Sequence, residues 1–236
     1  MTRNLFLPGT GRQIKILTEN LDVSGMQVLV IGGGSEEAAA VFKKSGADKI
    51  IIIVDENDSL LTSRLILGNN PDIKVRMMEY DNTDFGDSKF DLVYAQGSVS
   101  DKRRNKIVKE VKRILRPEGY FCVGEIINLL PEVPAFVKDV WDVSGISPLD
   151  AVNAVEFYTG KNFTVCGAFD LSSTLKEFYN TGKRLLQDVL PELKDNEKSY
   201  YKKLLKRIGH ESNVYLKLGG ERYMGFKMLI LRKGTE

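Results

Sequence analysis

Four apolar runs in a fixed order constrain this chain more than any other feature of it. Val28 to Ile31 leads into Gly32-Gly33-Gly34, and Ile50 to Val54 ends in Asp55. Phe90 to Tyr94 follows, and Leu115-Arg116-Pro117-Glu118-Gly119 precedes the apolar run from Tyr120. These are strand, glycine turn, helix, strand with an acid at its tip, and two further strand units, in the order of a doubly wound, mostly parallel α/β sheet. Lys49 to Val54 is almost unbroken isoleucine, as expected of a strand covered by helices on both faces.

Between these runs the periodicity changes from two to about three and a half. It predicts helices over Arg12–Leu21, Glu36–Ser45, Ser59–Leu67 and Lys102–Leu115, with a third strand at Lys74–Met78 and a fifth at Tyr120–Glu125. After Glu125 the alternation fails. Pro131, Pro134 and Pro148 break up a partly helical stretch around Trp141, Ala151–Tyr158 reads as a short helix, and Phe163–Phe169 as a strand. Thr174–Ile208 reads as a charged, aromatic helical region and Tyr223–Arg232 as a last strand. At 236 residues the chain suits one domain. Its expected parts are a core over 1–125, a helical elaboration over 126–220 and a final strand over 221–236.

With 34 basic and 32 acidic side chains, net charge names no partner. Cys122 and Cys166 lie in apolar strand-like runs, where thiols are expected to be buried and inert, and no metal site is expected. The first twenty residues lack the apolar run of a signal peptide, and no stretch is long enough to span a membrane. The expectation is a cytoplasmic monomer or homodimer.

A glycine turn lets backbone approach a ligand, and an acid at the next strand's tip can accept from ribose hydroxyls. Asp55 lies 21 positions beyond Gly34, against the roughly 20 expected of such a pair. The alternative is a plain turn with a surface aspartate. Ser35 is placed to cap the following helix, and Glu36 and Glu37 fill its first turn. Two carboxylates there would repel a dinucleotide pyrophosphate but not a ligand carrying a sulfonium and an ammonium.

These residues resemble the class I S-adenosylmethionine-dependent methyltransferases, closest in flavour to the small-molecule group related to quinone and phosphoethanolamine methyltransferases. Val28–Gly34, Ile53–Asp55, Tyr80-Asp81-Asn82 ahead of Phe90–Tyr94, and Ile114–Phe121 carry the resemblance, which covers roughly residues 1–125. It implies a Rossmann-like fold and S-adenosylmethionine as cofactor. Gly32, Gly33 and Gly34, with Ser35 beside them, would approach its methionine part. Asp55, with Glu56 beside it, would hold the ribose, and Asp81 and Asn82 the adenine edge. Ala95, Gln96 and Gly97 would border the reacting methyl. The chain departs from the family at Val30, where an acid is usual, and at Glu36, where glycine is usual. A small-molecule methyl acceptor is the expected partner. The alternatives are a non-catalytic ligand-sensing or interaction module on the same fold, an RNA methyltransferase and an aminopropyltransferase.

Glu125, at the predicted tip of the fifth strand, is the candidate for an acceptor contact or catalytic base, or else a solvated carboxylate. His210, the single histidine, is expected to cap a helix C-terminus. Trp141, Tyr158, Tyr179, Tyr200 and Tyr201 are shared between a lid over the acceptor and the core. The loop Leu7–Gly11 is either a flexible terminus or a flap that folds over something. The basic run Lys102-Arg103-Arg104-Asn105-Lys106, continued by Lys109, Lys112 and Arg113, is expected to be a solvated helix face rather than a nucleic-acid contact.

Overall fold

The computed structural model describes residues 7–68, 70–189 and 208–235. The isoleucine strand β2 (Lys49–Val54) runs parallel between β1 (Gln27–Ile31) and β3 (Ile73–Met77), pairing Ile53 with Ile31 and Ile52 with Val75. The other edge of β1 takes β4 (Phe90–Gln96), which pairs in parallel with β5 (Leu115–Asn128). The last strand β8 (Met224–Lys233) lies antiparallel between β5 and β7 (Phe163–Asp170). A two-residue β6 (Leu149–Asp150) extends along the end of β5. Among the described residues the strand order is β3-β2-β1-β4-β5-β8-β7. The winding reverses between β1 and β4, which is where doubly wound sheets open a crevice for ligands.

Helix α1 (Thr10–Asn20) precedes the sheet, and α2 (Glu36–Lys44), α3 (Asn57–Leu67) and α4 (Arg104–Ile114) make its crossovers. Then come α5 (Ala135–Ser144), α6 (Ala154–Thr159), α7 (Thr174–Val189) and a helical segment over 208–217. The two sheet faces bury separate apolar clusters, as the two-sided strands require. Val30, Phe42, Ile52, Tyr94 and Phe226 belong to one, and Ile31, Ile53, Ile107, Phe121 and Leu229 to the other. Glu110 ties α4 to the loop after β3, accepting from the Thr83 backbone N–H at 2.9 Å and from Arg113 Nε at 2.9 Å. Burial alone would raise its pKa, but the donors of Arg113 and Thr83 outweigh that and hold it below the ordinary range.

The predicted strands and helices of the first half all form, with ends shifted by a few residues. Cys122 is buried as expected, but Cys166 is exposed. Exposure alternates along β7, and Cys166 falls in the exposed row with Thr164, Ala168 and Asp170, while Phe163, Val165 and Phe169 are more buried. His210 lies exposed within the 208–217 helical segment, not at a helix C-terminus. Trp141, Tyr158 and Tyr179 are core residues, Tyr179 packing on Tyr215 with ring centroids 4.7 Å apart. Tyr200 and Tyr201 lie outside the described residues.

Candidate functional site

The glycine turn sits at the reversal point, between β1 and the start of α2. Gly32 and Gly34 have φ of 116° and 79°, which side chains rarely tolerate, so glycine is demanded by the backbone there. Other groups fill the space their side chains would take. A Cβ on Gly32 would stand 2.8 Å from Ser98 Cβ, one on Gly33 2.9 Å from Ser59 Oγ, and one on Gly34 3.4 Å from Leu7. Ser35 stands at the N-cap of α2 with φ −95° and ψ 12°, outside the extended geometry of a capping serine, and makes no cap bond. Its hydroxyl is buried and has no hydrogen-bond partner in the structure. A buried orphan donor beside a bare glycine turn suits the carboxylate of an amino-acid moiety. Glu36 does not enter the turn, because its carboxylate accepts from Ser63 Oγ of α3 and is buried there. Val30 is buried between Ile52 and Tyr94, so the position that differs from the resembled family serves the core.

Asp55 follows β2 and is only partly exposed; Glu56, next to it, is exposed at the head of α3. Tyr80 is buried nearby, and burial together with the Asp55 charge pushes its hydroxyl well above the usual tyrosine range. Asp81 and Asn82 lie in the turn after β3, where Glu79 bridges back to Asn82. The structure brings Asp55 and Asp81 onto one side chain, Arg103, at 3.0 Å and 3.4 Å.

At the end of β4, Ala95 and Gln96 are buried and Gly97 turns with φ 78°. Tyr94 donates its hydroxyl to Gln96 Oε1 at 2.6 Å, fixing which way the amide faces. Gln96 Nε2 then donates to the carbonyls of Pro8 and Thr10, each at 2.9 Å. The segment Leu7–Thr10 is thereby drawn across the glycine turns, with Leu7 against Gly34 and Pro8 against Gly97. Of the two readings of this loop, the flap matches the described residues. Behind it, Gln13 is buried, donating to Ala95 O at 3.1 Å.

Glu125 is neither at a strand tip nor solvated. The strand continues to Asn128, and Glu125 is 1% exposed. Its Oε1 accepts from Arg104 Nε at 2.9 Å and from the Tyr158 hydroxyl at 2.5 Å. Its Oε2 accepts from Ser100 Oγ at 2.5 Å and Arg104 Nη2 at 3.3 Å. Four donors use the four acceptor positions of a carboxylate. Arg104 also donates to Ser147 O, so the network locks β5, α4, α6 and the loop before β6 together. Burial, then the neighbouring Glu125 charge, pushes the Tyr158 hydroxyl far above its usual range, so it stays a donor.

The basic run therefore divides. Lys102, Lys106 and Lys109 are exposed, whereas Arg103, Arg104 and Arg113 are spent on carboxylates. Arg104 precedes Ile107, Val108 and Val111 by three, four and seven positions, so helical spacing alone puts it on the apolar face. Among the described residues no cluster of metal-ligating side chains occurs, and no helix is long and apolar enough to cross a membrane.

Residues 29–123 match the family model described as a methyltransferase domain. No curated protein matches the chain. Among solved structures, the phosphoethanolamine N-methyltransferase 2 of Haemonchus contortus, in complex with phosphomonomethylethanolamine and S-adenosylhomocysteine, superposes with a TM-score of 0.78 at 13% identity. That alignment covers 98% of this chain and 55% of that one. The cyclopropane synthase MmaA2 of Mycobacterium tuberculosis gives a TM-score of 0.73 at 14% identity, covering 94% of this chain and 83% of that one. The [4+2]-cyclase SpnF gives 0.72 at 17% identity, covering 95% and 81%. Residues 29–123 are thus similar to a methyltransferase domain, and the chain has the Rossmann-like fold of these solved structures.

Proposed function

We propose that the chain transfers a methyl group from S-adenosylmethionine to O, N or C of a small-molecule acceptor. Residues 1–125 bind the cofactor, and residues 126–220, with the Leu7–Thr10 flap, cover the acceptor. The observation that carries this reading is the flap held by Gln96 across Gly97, at the carboxyl ends of the central strands. A segment of the chain's own held over these strand ends suits a small acceptor better than a polymer. The arginines that an RNA would want are engaged elsewhere, which supports the same choice.

On this reading Gly32, Gly33, Gly34 and Ser35 receive the methionine end, Asp55 and Glu56 the ribose, and Asp81 and Asn82 the adenine edge. Ala95, Gln96 and Gly97 border the reacting methyl. The sulfonium of the bound cofactor supplies an activated methyl group, leaving alignment and exclusion of water to the protein. Gln96 serves that task by holding the flap, while its own amide is fixed by Tyr94. Glu125, with both oxygens engaged by Arg104, Tyr158 and Ser100, ties β5 to α4 and α6 and is not turned toward an acceptor as a free carboxylate. Acceptors that are already good nucleophiles are therefore favoured over those that need a base from this carboxylate.

Incubation with methyl-tritiated S-adenosylmethionine and separate panels of amines, phenols, carboxylic acids and RNA tests this. Label is expected in a small-molecule panel and not in RNA. Gln96→Ala is expected to lower turnover ~10- to 100-fold, because misalignment of about 1 Å costs that much. Cofactor affinity should stay within about threefold, since the Gln96 amide holds the flap rather than the cofactor. Label confined to RNA, or turnover untouched by Gln96→Ala, contradicts the reading.

A further inference from the structure

Arg103 is shared among four carboxylates that come from three separate places in the sequence. Its Nη2 lies 3.0 Å from Asp55 Oδ2, its Nη1 2.6 Å from Glu79 Oε2 and 3.4 Å from Asp81 Oδ1, and its Nε 3.4 Å from Asp101 Oδ1. The Arg103 backbone N–H also donates to Asp101 Oδ1, which fixes the base of the side chain at the head of α4. The guanidinium thus spans the interval between the end of β2 and the turn after β3. If Asp55 takes the ribose and Asp81 the adenine edge, that interval is the one an adenosine would take.

We propose that Arg103 competes with the adenosyl ligand for Asp55, and so sets both the affinity of the cofactor site and its preference for methylated cofactor over demethylated product. The inference rests on the ribose and adenine roles proposed for Asp55 and Asp81. The competition is of a suitable strength. The Arg103 side chain is about one-third exposed, and ion pairs at such exposure each shift an equilibrium by less than about tenfold. The fork can be displaced by a bound nucleoside, yet its loss is large enough to measure. A planar guanidinium can bridge Asp55 and the 79–81 turn at once, which a lysine ammonium cannot do with the same geometry.

Charge gives the second consequence. Without Arg103 the four acids are left uncompensated by it. S-adenosylmethionine carries one more positive charge than S-adenosylhomocysteine, so removal of Arg103 favours the former more. The screened distance makes this the smaller of the two effects.

The test is equilibrium titration of S-adenosylhomocysteine and S-adenosylmethionine into wild type, Arg103→Ala and Arg103→Lys, at low and high potassium chloride. Arg103→Ala is expected to bind S-adenosylhomocysteine about three- to tenfold tighter than wild type, with Arg103→Lys between them. S-adenosylmethionine should gain more than that. S-adenosylhomocysteine has no net charge, so added salt should tighten its binding to wild type by screening the Arg103 pairs, and leave Arg103→Ala unchanged. If wild type binds and Arg103→Ala binds equally or more weakly, Arg103 is a support and the proposal falls. If neither wild type nor the variants bind either ligand, the assignment of Asp55 itself has failed. Should Arg103→Ala not fold, Arg103→Lys decides alone, and binding no tighter than wild type overturns the proposal.

Discussion

An Arg104→Ala variant is expected to unfold about 10 °C below the wild type. The physical basis is an isolated buried charge: Glu125 is 1% exposed, and Arg104 supplies two of its four hydrogen bonds. Breaking a buried pair from one side costs about 3–5 kcal/mol, because the remaining charge is left without compensation. For a chain of this size each kcal/mol moves the midpoint by roughly 2–4 °C. The pair's net worth is a different quantity. Replacing both members by apolar residues, as in Arg104→Met with Glu125→Leu, should recover much of the loss, since such swaps are often close to neutral. Thermal denaturation followed by circular dichroism measures both variants. A midpoint within about 2 °C of wild type for Arg104→Ala would mean a solvated pair and contradict a buried network.

Asp55→Ala is expected to weaken S-adenosylmethionine binding by about a hundredfold or more while leaving the fold intact. Two hydroxyl donors of a ribose would lose a charged acceptor, and hydrogen bonds to charged groups are worth about 1.5–3 kcal/mol each. The fold should survive because Asp55 is partly exposed and its ion pair with Arg103 is one of several that Arg103 makes. Asp55→Asn keeps an acceptor of the same shape and should fall between the two. Calorimetric titration measures all three proteins. A loss under about threefold for Asp55→Ala would remove Asp55 from the ribose site.

The parts of this molecule that could be read from sequence are those set by local rules. The isoleucine run of β2, the glycine triplet and the 21-residue interval to Asp55 each follow from period, conformation or spacing. Part of what escaped was set by tertiary context. Glu125 looked like a strand tip because the alternation ends near it, but β5 continues for three residues and is closed over by α6 and β6. Cys166 has apolar neighbours that suggest burial, yet the period of two sets it in the exposed row of β7 with Thr164 and Asp170. Gly209 suggested a helix stop before His210, yet helix runs through both. Arg104 belongs to the run expected to be a solvated face, although its helical spacing sets it with Ile107, Val108 and Val111, and it is buried. The Arg103 network left no local mark, because three of its four partners lie 22, 24 and 48 positions away. Ser35 shows the converse. The residue type of a cap is present, but the backbone there does not let the hydroxyl reach an N–H.

The most direct test of the central claim is a thermal unfolding scan of the wild-type protein with S-adenosylmethionine, S-adenosylhomocysteine or NAD. A ligand at a hundred times its dissociation constant adds about 2.7 kcal/mol. For a chain of this size that raises the midpoint by roughly 5–10 °C. The account predicts such a rise with both S-adenosyl ligands and none with NAD. A rise with NAD alone, or no rise with either S-adenosyl ligand at millimolar concentration, would contradict it.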